Sequence, residues 1–386
     1  MERIYLDYAA TTPVHPEVAR AMLHVFTETF GNPSALYACG LEAREALEES
    51  RRNVARFLGA GEEEIIFTGS GSESDNFALE GVAFANEDRG DHIITSVIEH
   101  HAVIETAKFL EKRGFRVTSL PVDDQGLVSP DDVRRAITPK TILISIMHAN
   151  NEIGTIQPIA EIARIARDAG VYFHTDAVQT FGHLPINVEE MGIDLLSLSA
   201  HKLYGPKGVG ALYARRGVRL TPFLHGGGQE RGRRASTENV PGIVGLSKAV
   251  DIAREEMAEE DTRLTALRDR LIEGLLNIEH TRLNGHPRQR LPNNANVTVE
   301  FADGEAMCLN LDLEGLCAAT GSACSSEDAE PSHVLQAIGL RPEQARASLR
   351  FTLGKWTKDS DIDRVLEVLP RVVSRLRSMS MLGQRK

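Results

Sequence analysis

The chain has 386 residues, 42% of them hydrophobic and 25% charged, an ordinary globular composition that excludes a mainly disordered polypeptide. At roughly 100–200 residues per domain, it is long enough for about two domains with sizeable cores. Lys and Arg number 43 against 55 Asp and Glu, a formal charge of −12; this argues against general nucleic-acid binding, which needs clustered positive charge.

Taken in chain order, residues 1–7 carry no apolar run of signal-peptide type. Residues 41–58 place Ala43, Ala46, Leu47, Val54, Phe57 and Leu58 near a 3.6 period, which predicts an amphipathic helix stopped by Gly59. Short apolar runs at 64–68, 92–96, 116–120, 141–147, 171–174 and 194–198 predict strands. Helical patterns at 74–86, 103–113, 130–136 and 159–169 lie between most of them. This βαβα alternation predicts a mostly parallel sheet covered by helices on both faces. Residues 208–214 read as a returning strand, and 241–277 as a long helix bridging two domains. Strands at 296–301 and 347–351 with a helix at 304–313 suit a smaller α+β domain. The run 141–147 is far short of the roughly 18–20 apolar residues of a membrane span, so no membrane association is expected. Cys39, Cys308, Cys317 and Cys324 form neither a CxxC pair nor a zinc-ligand spacing, which predicts a reducing, cytoplasmic setting.

Three short constellations carry chemistry. Thr68-Gly69-Ser70-Gly71-Ser72-Glu73-Ser74-Asp75-Asn76 follows a strand and opens a helix, so it reads as an anion cradle or simply as a capped turn. Asp176, in His174-Thr175-Asp176-Ala177-Val178-Gln179, stands at a strand's C-terminal end, where α/β sheets bind ligands; it fits a partner for a protonated ring nitrogen or a helix cap. Lys202, in Ser199-Ala200-His201-Lys202, follows another strand and is placed to form a Schiff base. A lone loop lysine is usually a solvated charge, but one strand–helix–strand step separates Asp176 from Lys202, so both can enter a single cleft. A phosphate cradle, an acid for a ring nitrogen and an amine for an aldehyde are the three partners that pyridoxal phosphate needs.

With these residues in place the chain resembles a fold-type I, class V pyridoxal-phosphate enzyme, and within that group the cysteine desulfurases of the NifS/IscS kind. The likeness runs from Tyr5-Leu6-Asp7-Tyr8 to Arg350-Phe351-Thr352, and Gly321-Ser322-Ala323-Cys324-Ser325-Ser326 with Glu330-Pro331-Ser332-His333 is its most diagnostic part. The resemblance implies an α/β fold-type I transferase: a large domain (15–260) with a mainly parallel seven-stranded sheet between helices, and a smaller α+β domain (1–14 and 261–386) carrying the cysteine loop at about 318–332. It implies that Lys202 joins the cofactor aldehyde, Asp176 meets the ring nitrogen and Gln179 the ring hydroxyl. His100 would stack on the ring and move protons, with Asn151 beside ring and substrate. Ser72, Ser199 and His201 would hold the phosphate, and Thr237 would reach the phosphate of the neighbouring subunit in a homodimer. Arg346 would clamp the substrate carboxylate, with Arg350 the less favoured choice. Ser72 stands where the family commonly has Thr and keeps the hydroxyl; Tyr37 stands where a His is usual, and Ser236 where a Gly is common.

Cys308 and Cys317 lie in apolar runs and Cys39 has no base nearby, so all three read as inert. Cys324 lies among Gly, Ser, Glu and Asp, the composition of an exposed loop. The resemblance makes it the nucleophile that takes sulfur from L-cysteine as a persulfide, leaving L-alanine, for delivery to a sulfur-accepting protein such as an iron–sulfur scaffold. A selenocysteine lyase, a class V aminotransferase and a docking platform with slow turnover are the competing readings. The doublet His100-His101 lacks a third ligand, so no metal is expected. The basic run at 371–386 reads as a solvated face, and the resemblance adds the region where scaffold proteins dock.

Overall fold

The structure, a computed structural model, describes residues 3–321 and 331–379. Its strands in chain order are β1 (Ile4–Tyr5), β2 (Ile65–Thr68), β3 (His92–Ser96), β4 (Arg116–Leu120), β5 (Thr141–Ser145), β6 (Tyr172–Asp176), β7 (Leu195–Ser199), β8 (Gly210–Ala214), β9 (Thr281–Leu283), β10 (Asn294–Val299), β11 (Leu316–Cys317) and β12 (Ser348–Thr352). Seven of them form one sheet in the order β2-β8-β7-β6-β5-β3-β4. Strand β8 runs antiparallel to both its neighbours, and the remaining pairs are parallel.

Both faces of this sheet are covered inside its edge strand β4, and β2, β3, β5, β7 and β8 are buried along their whole length. Pleat alternation sorts the side chains. Ile66, Ile93, Leu143, Leu195 and Leu212 pack on one side with Phe77, Leu79 and Val82 of the helix Gly71–Ala85. Phe67, Ile94, Ile144, Phe173 and Leu196 face the other side, with Ile162 and Ala166 of the helix Ile159–Asp168. Fully burying one such side chain contributes roughly 1.5–3 kcal/mol.

The helix Val240–Leu276 begins in the large core through Ile243, Leu246 and Val250. It ends in a second core through Leu264, Leu267, Leu271 and Leu275. That second core packs on the antiparallel sheet β12-β10-β9 and includes Leu6 from the N-terminal segment, where β1 pairs with β11.

Several element bounds differ from the sequence reading. The helix expected at 41–58 starts at Ala38, because its N-cap, Tyr37, makes no side-chain cap bond that could have marked the start. The helix expected at 74–86 starts at Gly71, capped by Ser70. The longest helices that the sequence pattern does not reveal are Pro16–Thr27 and Asp359–Met379; the short helices Val188–Met191, His333–Ala337 and Pro342–Arg346 are also unsignalled. The helix Asp359–Met379 contains Pro370 and basic residues that hid a buried stripe of Ile362, Val365, Leu369, Val372 and Val373.

Candidate active site

The C-terminal ends of β6 and β7 open on a cavity of about 200 Å³. Eight predicted residues line it: Ser72, His100, Asn151, Asp176, Gln179, Ser199, His201 and Lys202. Asp176 closes β6, and Ser199 closes β7 just ahead of the single turn Ala200–Lys202. The one-step interval read from the sequence therefore brings the acid and the amine to neighbouring strand ends. The Lys202 amine donates to the Ala9 and Ala10 carbonyls at 2.6 and 2.7 Å, and Gln179 Nε2 donates to the Ala9 carbonyl at 3.0 Å. These backbone acceptors from the N-terminal segment had no signature in the sequence.

The helix Gly71–Ala85 presents its N-terminus to the cavity. The Ser70 hydroxyl accepts from Glu73 N at 3.1 Å, and the Glu73 carboxylate accepts from Gly69 N at 2.7 Å. The turn is thus both a built cap and an anion cradle. A Cβ at Gly71 would come within 2.7 Å of Val178 Cγ2 and 3.3 Å of Ser199 Cβ, so only glycine keeps the cradle open.

Burial sets the charge states. Asp176 Oδ1 accepts from Val178 N at 2.9 Å. Desolvation pushes the Asp176 carboxyl above its ordinary range, against that hydrogen bond and the Lys202 charge. Burial and the neighbouring Lys202 charge push His100 down to about 4 and His201 to about 4, so both rings are neutral at physiological pH. His100 Nδ1 accepts from Ala102 N at 3.1 Å, which leaves the ring proton on Nε2. Glu99 is fully buried, accepting from Ser96 Oγ at 2.5 Å and from Met147 N at 3.1 Å, and desolvation pushes it up to about 8.

Two predicted residues are not gathered here. Arg346, the expected carboxylate clamp, ends the helix Pro342–Arg346 and lines a different cavity with Glu300, Phe301 and Arg341. Arg350, two pleats into β12, lines the active-site cavity in its place. Its guanidinium donates to Asp7 Oδ1 at 2.8 Å and to the Asn151 carbonyl at 3.1 Å, while its Nε is buried without a hydrogen-bond partner. Thr237 lies in a separate cavity with Arg234, Ser236 and Glu230. Cys324 lies outside the described residues. Burial pushes the Cys308 thiol up to about 12 and raises Cys317, in keeping with inert cysteines.

Asp75 also lines the cavity, and the sequence reading gave it no role. A signal existed: positions 75, 78, 79 and 82 share one helical face, and Ala78, Leu79 and Val82 are apolar. Among the described residues, no group of three His, Cys, Asp or Glu side chains is placed to hold a metal ion, and no helix is long and apolar enough to cross a membrane.

The donor set fits pyridoxal phosphate: an amine, a buried carboxyl opposite it, a ring-sized apolar-walled space and hydroxyls at a helix N-terminus. The comparisons agree. The Aminotransferase class-V family matches residues 4–365. The chain is 59% identical to the cysteine desulfurase IscS of Methanosarcina thermophila, covering 98% of this chain and 94% of that one. It is 55% identical to the IscS of Dictyoglomus turgidum, covering 99% and 97%. A solved NifS-like protein superposes with a TM-score of 0.91 at 38% identity, over 97% of this chain and 100% of that one. A structure described as SspA in complex with cysteine gives 0.80 at 41%, over 90% and 98%. The chain belongs to the class-V aminotransferase family of fold-type I pyridoxal-phosphate enzymes. Within it, the chain is a member of the cysteine desulfurases of the NifS/IscS kind.

Proposed function

We propose that this protein converts L-cysteine to L-alanine and moves the sulfur onto Cys324 as a persulfide, with the cavity residues in the following roles. Lys202 binds the cofactor aldehyde, Asp176 the ring nitrogen and Gln179 the ring hydroxyl; His100 and Asn151 flank the ring. Ser72, Ser199 and His201 hold the phosphate at the helix N-terminus. The bound cofactor supplies an aldehyde for the substrate amine and a ring that accepts electrons from Cα. Released from the aldehyde, the Lys202 amine takes and returns the Cα proton. His100, neutral and protonated on Nε2, is a proton donor into the cavity. Arg350 holds the substrate carboxylate through its planar guanidinium, a role transferred here from Arg346. Cys324, as thiolate, forms a bond to the substrate sulfur while the carbon–sulfur bond breaks; the electron pair stays on Cβ, which a proton converts to the methyl of alanine. No external oxidant is consumed.

The observation that carries this reading is the convergence of Lys202 and Asp176 on one cavity at adjacent strand ends. The test is intact-protein and peptide mass spectrometry after L-cysteine addition. One extra sulfur on the Cys324 peptide with an equivalent of alanine is expected; alanine without that sulfur, or a Cys324→Ser protein that turns over normally, overturns it. Selenide release from selenocysteine and consumption of a keto acid are the measurements that expose the two rival enzymes.

The active unit is a homodimer in which Thr237 serves the neighbouring site. This is supported by the separation of Thr237 from the Lys202 cavity and by the exposed large apolar side chains Leu23, Phe26, Phe30, Leu36, Tyr37 and Leu41, all within residues 23–41. The domain division at 15–260 against 1–14 with 261–386 is supported by the two cores that share the helix Val240–Leu276. The persulfide passes to a sulfur-accepting protein such as an iron–sulfur scaffold, in the cytoplasm.

A further inference from the structure

Asp75 is a buried carboxyl that the proposed reaction does not use. It sits on the second turn of the helix Gly71–Ala85, 1% exposed, and lines the same cavity as Asp176. Its Oδ1 has no hydrogen-bond partner, which is costly for a buried acceptor and more so for a charged one.

Its neighbours among the described residues come from β6, β5 and β7. From β6, His174 brings Nε2 to 3.7 Å from Asp75 Oδ1. That ring is held between Ser145 Oγ of β5, 2.8 Å from Nδ1, and Ser197 Oγ of β7, 3.0 Å from Nε2. His174 is fully buried and pushed down to about 3 by desolvation, so it is neutral and offers Asp75 no counter-charge. The Ser197 hydroxyl faces Asp75, while Asp176 and Glu99 act on it as like charges. Of the cations lining the cavity, Arg350 is paired with Asp7 and Lys202 bears on Asp176. Desolvation and the Asp176 charge both drive the Asp75 carboxyl well above its ordinary range. Two carboxylates in a dry site without a cation between them cannot both ionise.

We propose that Asp75 is a positioning residue for Asp176: it keeps the proton of this buried carboxyl pair as a neutral acid, so that Asp176 is the one charged carboxylate offered to the ring nitrogen. This rests on the assignment of Asp176 to that nitrogen. The pair then presents a single negative charge whose place is fixed by structure, because the Ser145–His174–Ser197 relay gives Asp75 polar neighbours and no cation.

Infrared difference spectra of the cofactor-free protein test the proton directly. Wild type minus Asp75→Asn should show the carbonyl band of a protonated carboxylic acid at neutral pH. A Glu99→Gln protein separates this band from any contribution of Glu99, and its spectrum must retain the Asp75 band. Absence of the band from the wild-type minus Asp75→Asn difference overturns the proposal, and it does so whether or not Asp176 meets the cofactor.

Cofactor binding tests the consequence. Asp75→Asn keeps a neutral polar group of the same shape, so its pyridoxal phosphate dissociation constant should stay within about threefold of wild type. Asp75→Leu removes the acid O–H and the polar group facing the Ser197 hydroxyl, and should weaken cofactor binding about tenfold or more and shift the visible band of the bound cofactor, without lowering the unfolding temperature of the cofactor-free protein, since apolar isosteres of buried polar groups are often neutral or stabilising. A purely structural Asp75 predicts the reverse, a lower unfolding temperature with an unmoved band. Loss of cofactor affinity in Asp75→Asn as large as in Asp75→Leu would show that the charge of Asp75, not its proton, matters, and would overturn the proposal. Failure of the Asp176 assignment is read separately, as unimpaired cofactor binding in Asp176→Asn.

Discussion

Arg350 and Asp7 are ion-paired at 2.8 Å, joining β12 of the smaller sheet to the N-terminal segment that passes the cavity. The same guanidinium reaches the Asn151 carbonyl at 3.1 Å, so the side chain is fixed in place with its unpartnered Nε buried. Arg350→Lys keeps the charge but loses the planar fork, and its KM for L-cysteine should rise about tenfold or more. Arg346→Ala should leave that KM within about threefold, because Arg346 lines another cavity. Steady-state kinetics on both variants decide; the opposite ranking would return the clamp to Arg346.

Arg51 and Glu230 form a bidentate pair at 2.7 and 2.9 Å with both side chains almost fully buried. Glu230 also accepts from Phe67 N at 3.0 Å. It thereby fastens the Thr237 segment to β2 beside the cradle. Truncation to Glu230→Ala leaves the buried guanidinium with the Ile65 carbonyl at 2.9 Å and the partly exposed Glu48 carboxylate at 3.2 Å, and should cost up to about 3–5 kcal/mol in chemical denaturation. Glu230→Gln keeps the shape and some hydrogen bonds, and should cost less. Equal stability of all three proteins would remove this pair from the account of the loop.

The catalytic strand ends were legible because they depend on local order. An apolar run followed by Asp176, and another followed by Lys202, place two side chains at one sheet edge by topology alone. The choice between Arg346 and Arg350 was not legible, since four residues at a helix-to-strand junction change both the element and the face: Arg346 closes a helix and Arg350 sits inside β12. The Ala9 and Ala10 carbonyls were hidden for a related reason, being backbone atoms supplied by a segment almost 200 residues from Lys202. Asp75 is hidden inside its motif, because an acid near a helix start reads as a macrodipole partner until its apolar face is counted.

The separation of Thr237 from Lys202 has a consequence for mixed dimers. Thr237→Ala and Lys202→Ala homodimers should both be impaired, the second lacking the covalent cofactor link and its visible band. A mixed dimer contains one site with an intact Lys202 and an intact Thr237 from the other subunit. Each mixed dimer should therefore carry about half of the wild-type activity, so random reassociation of an equal mixture should recover about a quarter of it averaged over all dimers. No recovery above the sum of the parents would place Thr237 in its own subunit's site.

The buried histidines and Glu99 give the cofactor-free protein a stability maximum with two different limbs. His100, His148 and His201 are pushed down to about 4 and His174 to about 3, each chiefly by burial. The unfolded chain binds their protons near 6.5, so between that pH and about 4 it holds more protons than the folded state. Stability therefore falls as the solution is acidified through this window. Glu99 has the opposite sign. Its folded pKa of about 8 lies above the ordinary 4.5, so its contribution is fully present below 4.5 and is lost as pH rises through about 8. The unfolding temperature should thus peak near neutrality and decline on both sides. Glu99→Gln should flatten the decline between about pH 6.5 and 8 and steepen the acid limb above about pH 4.5, where Glu99 opposes the histidines; His174→Gln should reduce the acid limb alone. Calorimetry across this range on the three proteins measures both slopes, and an alkaline limb that persists unaltered in Glu99→Gln assigns that proton to another group.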